Sequence, residues 1–251
     1  VPLKLSILVP VYNEAATVEQ LIHRLSEVRF PIEREIIAVD DGSTDGSDRI
    51  LRELERAGRL RLSVHAWNQG KGAAVQTATQ LAQGQILVVQ DADLELNPED
   101  LPTLLAPILA GETQVCFGSR FLDGRKASRM GVPAYWGNRI LNRLSNLLNG
   151  ISITDFNTCY KMLTREAASR LELHERGFTL EPEITTKLAR LGYTILERPI
   201  RYEPRGIRDG KKIRWTDFFR YVSAMIRYRY FWSPAASPLS NFVPTALARS
   251  G

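Results

Sequence analysis

Apolar residues in the first half of the chain fall into short blocks at regular intervals. "LSILVPV" (5–11), "EIIAVDD" (35–41), "RLSVHAW" (61–67), "QILVVQDAD" (85–93) and "TQVCFGSRF" (113–121) each read as a strand. Segments of helical period lie between them. One follows Thr17-Val18-Glu19-Gln20, which offers a capping box. A second is opened by Asp45-Gly46-Ser47 and runs to about Arg56. "GKGAAVQTATQLA" and the stretch from Pro98 are the third and fourth. Strands separated by helices predict right-handed crossovers and an α/β fold, a mainly parallel central sheet flanked by helices. Ligands of such sheets sit beyond the carboxyl ends of the strands. Asn13-Glu14, Asp40-Asp41, Asn68, Asp91-Asp93 and Ser119-Arg120 all fall there.

The second half is less regular. "YWGNRILNRLSNLLNG" sets Trp136, Ile140, Leu144, Leu147 and Leu148 on one helical face, expected for the most part to pack on the sheet. "LEPEITTKLARLG" reads as a helix with Pro182 in its first turn, and "TILERPI" as a strand. "RYEPRGIRDGKKIRW" is a basic, Gly-punctuated loop, and an aromatic-rich amphipathic helix starts at Trp215. The expected division is a main domain over 1–200, the loop and helix over 201–232, and a flexible tail over 233–251.

Composition adds bounds. A hydrophobic content of 44% over 251 residues is enough for a sizeable core. Cys116 and Cys159 are the only cysteines, which argues against a disulfide framework or structural zinc and for a reducing compartment. Neither a signal peptide nor a run of transmembrane length is read. The net charge of +5 is unevenly placed. Ten Lys/Arg lie between Arg198 and Arg229, against Glu203, Asp209 and Asp217. Such a tract seeks phosphate, nucleic acid or an acidic membrane surface.

Candidate chemistry begins at Asp91 and Asp93. Residues i and i+2 of an extended chain point the same way, so both carboxylates face one side of a strand end. That suits a hard divalent cation, Mg2+ or Mn2+, with positions left for phosphate. In isolation a D-x-D reads more readily as a solvated turn with helix-capping acids; its place after an apolar strand reverses this and favours the metal. In "VDDGSTDGS", Asp45 and Ser47 suit a helix start, whereas Asp40-Asp41 are left over and can accept hydrogen bonds from a nucleobase edge. "NQGKGAA" is not a P-loop, and no G-x-G-x-x-G opens a helix, which argues against a dinucleotide cofactor.

"VPVYNEAATV", "AVDDGSTDGS", "NQGKGAA", "QDADLELNPEDL" and "GSRF" resemble, in order and spacing, family 2 glycosyltransferases of the GT-A fold. "DFNTCYKMLTRE", "GFTLEPEITTKLARLGY" and "RDGKKIRW" are similar to the polyprenyl-phosphate branch, the dolichyl-phosphate glucose and mannose synthases and their bacterial relatives. The resemblance covers about residues 5–230. It implies that Pro10, Tyr12, Asn13 and Glu14 line the base and ribose pocket, that Asp41 reads the base edge, and that Lys71 lies near that pocket. Asp91, Ala92 and Asp93 would meet the donor and its diphosphate-bound Mg2+ or Mn2+, with Asp93 the favoured ligand over Asp91. Arg120, Asp155, Arg205, Lys211 and Lys212 would surround the acceptor phosphate, with Arg120 and Lys212 beside the reacting groups. Glu181 and Glu183 would lie near the sugar.

The implied reaction is inverting transfer of a hexose from a nucleoside diphosphate to a polyprenyl phosphate. "GKGAA" looks more like the glucosyl-type members of that branch than the mannosyl-type ones, which implies UDP-glucose as the donor, with GDP-mannose still open. Work at the cytoplasmic face of a membrane would then follow, through either the helix from Trp136 or that from Trp215. The latter is equally compatible with core packing or with self-association. Two other readings remain: a soluble sugar or protein acceptor, and a nucleic-acid-binding module built on the basic tract. The second leaves the acidic strand ends unexplained, and nucleic acid is not the expected partner.

Overall fold

The computed structural model describes residues 2–122, 131–204 and 217–234. They form a seven-stranded sheet in the order β3-β2-β1-β4-β6-β5-β7. The strands are β1 (Lys4–Val11), β2 (Glu33–Asp40), β3 (Arg61–Val64), β4 (Ile86–Val89), β5 (Val115–Ser119), β6 (Lys161–Thr164) and β7 (Ile195–Pro199). The helices are α1 (Val18–Glu27), α2 (Ser47–Arg56), α3 (Lys71–Leu81), α4 (Leu101–Leu109), α5 (Val132–Asn149), α6 (Arg165–Ser169), α7 (Leu180–Arg190) and α8 (Asp217–Tyr230). β1, β2, β3 and β4 pair in parallel, as do β5 and β7.

β6 is the element the hydrophobic pattern does not announce. It runs antiparallel between β4 and β5. It is only four residues long and opens on Lys161, so its apolar run is too brief to read as a strand. The inversion matters for the site. The start of β6, not its end, meets the carboxyl ends of β4 and β5, and residues 155–160 therefore join the functional rim.

Alternation along the strands fills both faces. Ile7 and Val9 enter one core with Leu21, Leu25, Leu101 and Leu105, while Leu8 enters the other with Val75, Phe117, Leu163 and Leu180. The capping box expected at Thr17 does not form. The Thr17 hydroxyl donates instead to the backbone oxygen and carboxylate of Glu14, at 3.3 and 3.1 Å.

α5 turns part of its expected apolar face outward, while Leu144 and Leu148 stay half-buried. Val132, Trp136, Ile140 and Leu147 are exposed, while Leu141, Asn142, Ser145 and Asn149 are buried. The reason lies in the loop it covers. Asn142 donates to Ile153 O at 2.7 Å and accepts from Phe156 N at 3.0 Å. Asn146 likewise exchanges two bonds with the Ile153 backbone. Buried backbone polar groups need partners, so the polar side of α5 turns inward to supply them. α8 splits its surface. Tyr221, Met225 and Tyr228 are buried against α5 and α7, whereas Phe219, Ile226 and Tyr230 face outward.

Candidate active site

The rim starts where β1 and β2 end. Asn13, in the left-handed region at φ 55, accepts from Thr44 N at 2.8 Å, and its own N–H donates to Ser43 Oγ at 3.0 Å. Glu14 N donates to Ser47 Oγ, and Ala15 N to Asp45 Oδ2, both at 2.9 Å. Thus "DGSTDGS" stitches the 13–15 turn to the start of α2, beside Pro10 and Tyr12, which are both partly exposed.

Asp41 is buried, and its carboxylate accepts from Gln69 N at 3.0 Å and Gly70 N at 2.7 Å. It also meets His65 Nδ1 at 2.6 Å, while His65 Nε2 meets Thr77 Oγ1 at 2.9 Å. A carboxylate has about four acceptor positions, so three are taken by the β3–α3 loop. That loop is fixed from below as well. Gly72 has no room for a Cβ against the Glu175 carbonyl, nor has Gly70, at φ +100, against that of Arg176. The glycines flanking Lys71 thus let the 175–177 loop pass beneath α3.

Lys71 projects from the first turn of α3 between two acids. Its ammonium lies 2.8 and 2.9 Å from the two oxygens of Asp91 and 3.3 Å from Glu181 Oε1. Burial alone would lower its pKa, but Asp91 and Glu181 more than offset this and hold it well above the ordinary lysine range. The other oxygen of Glu181 accepts from Lys161, the buried opening residue of β6, which also donates to Thr158 O. For Lys161 burial prevails over Glu181, and its pKa is lowered. Cys159 adjoins this group. Burial, then the charge of Asp91, pushes its thiol well above the usual range, so it is a neutral neighbour. The i, i+2 partner Glu183 does not reach the rim. It accepts from His174 N and Glu175 N, both at 2.8 Å, and pairs with buried Lys187 at 2.7 Å. The expectation of Glu183 near a sugar is therefore corrected: two residues along a helix turn to a different face.

Across the rim, Arg120 follows β5. Its Nε and Nη2 donate to Asp155 at 2.7 and 2.8 Å, and its backbone N–H at 3.1 Å. Burial opposes the charge, but Asp155 more than compensates and raises the guanidinium above its ordinary range. The ring of Tyr202 lies 5.1 Å from the guanidinium and that of Phe121 5.6 Å. Asp155 is itself held, because Glu197 on β7 accepts from Asp155 N at 3.1 Å and Thr154 N at 2.8 Å. Edge-to-face contacts lead from Phe121 to Tyr135 and on to exposed Trp136.

The donor set suits Mg2+ or Mn2+. Asp93 stands two residues beyond Asp91, past buried Ala92, and its Oδ1 accepts from Glu95 N at 3.1 Å. Among the described residues no cluster of three or more His, Cys, Asp or Glu is placed to hold a metal. Hard carboxylates in that small number fit a cation that takes its remaining oxygens from phosphate and water. Arg205, Lys211 and Lys212 lie outside the described residues. His65, Lys161 and the Asn142/Asn146 clamp escape the sequence reading. The one signal for the clamp is the helical spacing of Asn138, Asn142, Asn146 and Asn149.

The glycosyl transferase family 2 model matches residues 6–172. Glycosyltransferase AglD of Haloferax volcanii is 29% identical over 213 residues, 81% of this chain and 34% of that protein. Dolichol-phosphate mannosyltransferase of Pyrococcus furiosus is 27% identical over 232 residues, 90% of this chain and 63% of that protein. The chain therefore spans less than two thirds of either relative. Glucosyl-3-phosphoglycerate synthase from Mycobacterium tuberculosis, in complex with Mn2+, UDP and glucosyl-3-phosphoglycerate, has a TM-score of 0.62 at 22% identity. The match covers 90% of this chain and 79% of that one, and at this identity it speaks to the fold. No helix among the described residues is long and apolar enough to cross a membrane.

Proposed function

Because the chain belongs to glycosyl transferase family 2 and has a GT-A fold, we propose that it transfers a hexose from a nucleoside diphosphate sugar to a polyprenyl phosphate. The observation that carries this reading is one rim with two unlike halves. Lys71, Asp91 and Asp93 suit a metal-bound diphosphate, and partly buried Arg120, fixed by Asp155, suits a second phosphate.

On the donor side, Pro10, Tyr12, Asn13 and Glu14 border the nucleoside, and Asp41 shapes the loop that faces the base, with one acceptor position left for it. Lys71 meets the diphosphate from α3. A divalent cation held chiefly by Asp93, with Asp91, would neutralise charge on the leaving diphosphate. On the acceptor side, Arg120 binds and orients a phosphate oxygen, and Arg205, Lys211 and Lys212 add cationic contacts. A phosphate monoester has its second pKa near about 6 and is largely dianionic at neutral pH. Its oxygen attacks without a strong general base, and in-line attack inverts the anomeric centre.

UDP-glucose is the favoured donor and GDP-mannose the second. The Mycobacterium tuberculosis structure contains UDP, while the Pyrococcus furiosus relative is named for mannosyl transfer. Peripheral membrane contact suits the outward side of α5, where Val132, Trp136, Ile140 and Leu147 form an apolar stripe. Arg139 and Arg143 are its charged residues, and α5 carries no acid. The aromatic contacts from Trp136 to Phe121 connect that stripe to Arg120.

The donor half is tested by calorimetric titration of UDP, GDP, UDP-glucose and GDP-mannose with Mg2+ or Mn2+ and again with EDTA. Metal-dependent binding of one nucleotide series supports the reading. Binding of none of them, beside stabilisation by an oligonucleotide, would favour the nucleic-acid alternative.

A further inference from the structure

Lys161 and Glu181 lie beneath the rim, and the proposed reaction gives them no task. Both are almost wholly buried, the side chains exposing 1% and 7%. A buried ion pair is often no more stable than apolar residues of the same volume. A lysine opening a central strand is thus an expensive choice if packing were its only purpose. Its partner is not private either, because Glu181 holds Lys161 with one oxygen and Lys71 with the other. Lys71 in turn straddles both oxygens of Asp91. The four charges, two positive and two negative, form one chain from β6 through α7 and α3 to the end of β4.

α7 carries a second buried pair for comparison. Glu183 and Lys187 are both fully buried, but their partners are the backbone of the 171–175 segment, the His174 ring and the rings of Tyr228 and Trp232. That pair ties α7 to its neighbours and touches nothing on the rim.

From this contrast we infer that the Lys161–Glu181 pair is a positioning device for the donor site, setting Lys71 where it meets the donor diphosphate. The inference rests on the donor half of the proposed function. Lys161 fixes Glu181 from the strand side. Glu181 then gives Lys71 a second anchor, so that its ammonium stays in register with Asp91. Lys161 and Glu181 do not touch the donor and are not catalytic.

The test is calorimetric binding of UDP and GDP, each with Mg2+, to a set of variants. K161M/E181Q removes both charges at near-constant volume, a change that buried pairs tolerate. E181D keeps the charge beside Lys161 but draws the carboxylate back from Lys71. Both variants are expected to remain folded and to weaken nucleoside diphosphate binding about tenfold, within the range of coupling between side chains in contact. In a K71M background the same substitutions are expected to cause no further loss. K187M is the control, with reduced thermal stability and unchanged coupling to Lys71.

Full affinity in K161M/E181Q and E181D, or an equal loss with and without Lys71, overturns the inference and leaves the pair as packing alone. If wild type binds neither nucleotide, the donor reading itself falls, and the inference with it. Binding by wild type without coupling refutes the positioning role only.

Discussion

The Arg120–Asp155 pair makes the sharpest demand on the structure. Asp155→Asn keeps the side-chain volume but removes the charge that three donors of Arg120 address, at 2.7, 2.8 and 3.1 Å. The two side chains expose 10% and 1%, so water cannot readily replace the lost partner. Leaving one charge of a buried pair unmatched costs about 3–5 kcal/mol. The guanidinium keeps its contacts with Tyr202 and Phe121, and the asparagine oxygen still accepts one bond, which places the expectation at the lower end. A loss of about 3 kcal/mol lowers Tm by roughly 6–12 °C in a chain of this size. The assay is calorimetric or fluorescence-monitored melting of wild type, Asp155→Asn, Arg120→Met and the double variant. The double variant, with no charge stranded, is expected to recover most of the stability but none of the transfer to a phosphate acceptor. A double variant as unstable as the sum of the single ones would show that the two residues act independently, contrary to the geometry.

Four further outcomes are expected. Asp93→Asn should abolish the metal-dependent part of nucleotide binding without unfolding the protein; equal affinity with Mg2+ present would remove Asp93 from the metal site. Asp41→Ala should weaken nucleotide binding with or without metal and loosen the β3–α3 loop, since each hydrogen bond to its carboxylate is worth about 1.5–3 kcal/mol; hydrogen exchange at Gln69 and Gly70 reads the loosening. For Glu35, burial would raise the pKa, but hydrogen bonds from Ser6, Gln83 N and Gly84 N, with the charge of Lys4, hold it below its ordinary 4.5. Its stabilisation is thus present above pH 4.5 and lost as pH falls through the lowered value; the stability gap between wild type and Glu35→Gln, followed by denaturant titration, should close over that acidic window. Replacing Trp136, Ile140 and Leu147 together by serine should spare folding and reduce flotation with anionic vesicles at least about tenfold, the apolar transfer contribution of a single such side chain.

Much of the fold is legible because the parallel strands are buried on both faces and therefore read as continuous apolar runs. "ILVV" ending at Val89 and "VCFGS" ending at Ser119 carry their polar successors to the rim, and residues 91, 93 and 120 follow from that alone. The misreadings share a cause, which is that burial and polarity part company around the site. Lys161 interrupts the apolar signature of β6 because its charge is met by Glu181 from another element. α5 exposes Trp136, Ile140 and Leu147 of its predicted stripe and turns asparagines inward because the loop bearing Asp155 needs hydrogen-bond partners there. Asp41 looks outward in the sequence, while its partners Gln69 and Gly70 come from 28 and 29 residues further along. Such long-range pairings leave no local period to read.

The central claim is that the acceptor is a phosphate. Its most direct test is transfer of radiolabelled sugar, from UDP-glucose and separately from GDP-mannose, into an organic-extractable product with Mg2+ present. The acceptors compared are a polyprenyl phosphate and the corresponding free alcohol, in the same detergent. The account predicts label in the phosphate reaction from one donor and none with the alcohol, which lacks an ionised nucleophile at neutral pH. Equal labelling of the alcohol, or efficient transfer to a soluble sugar with the lipid phosphate inert, would contradict it.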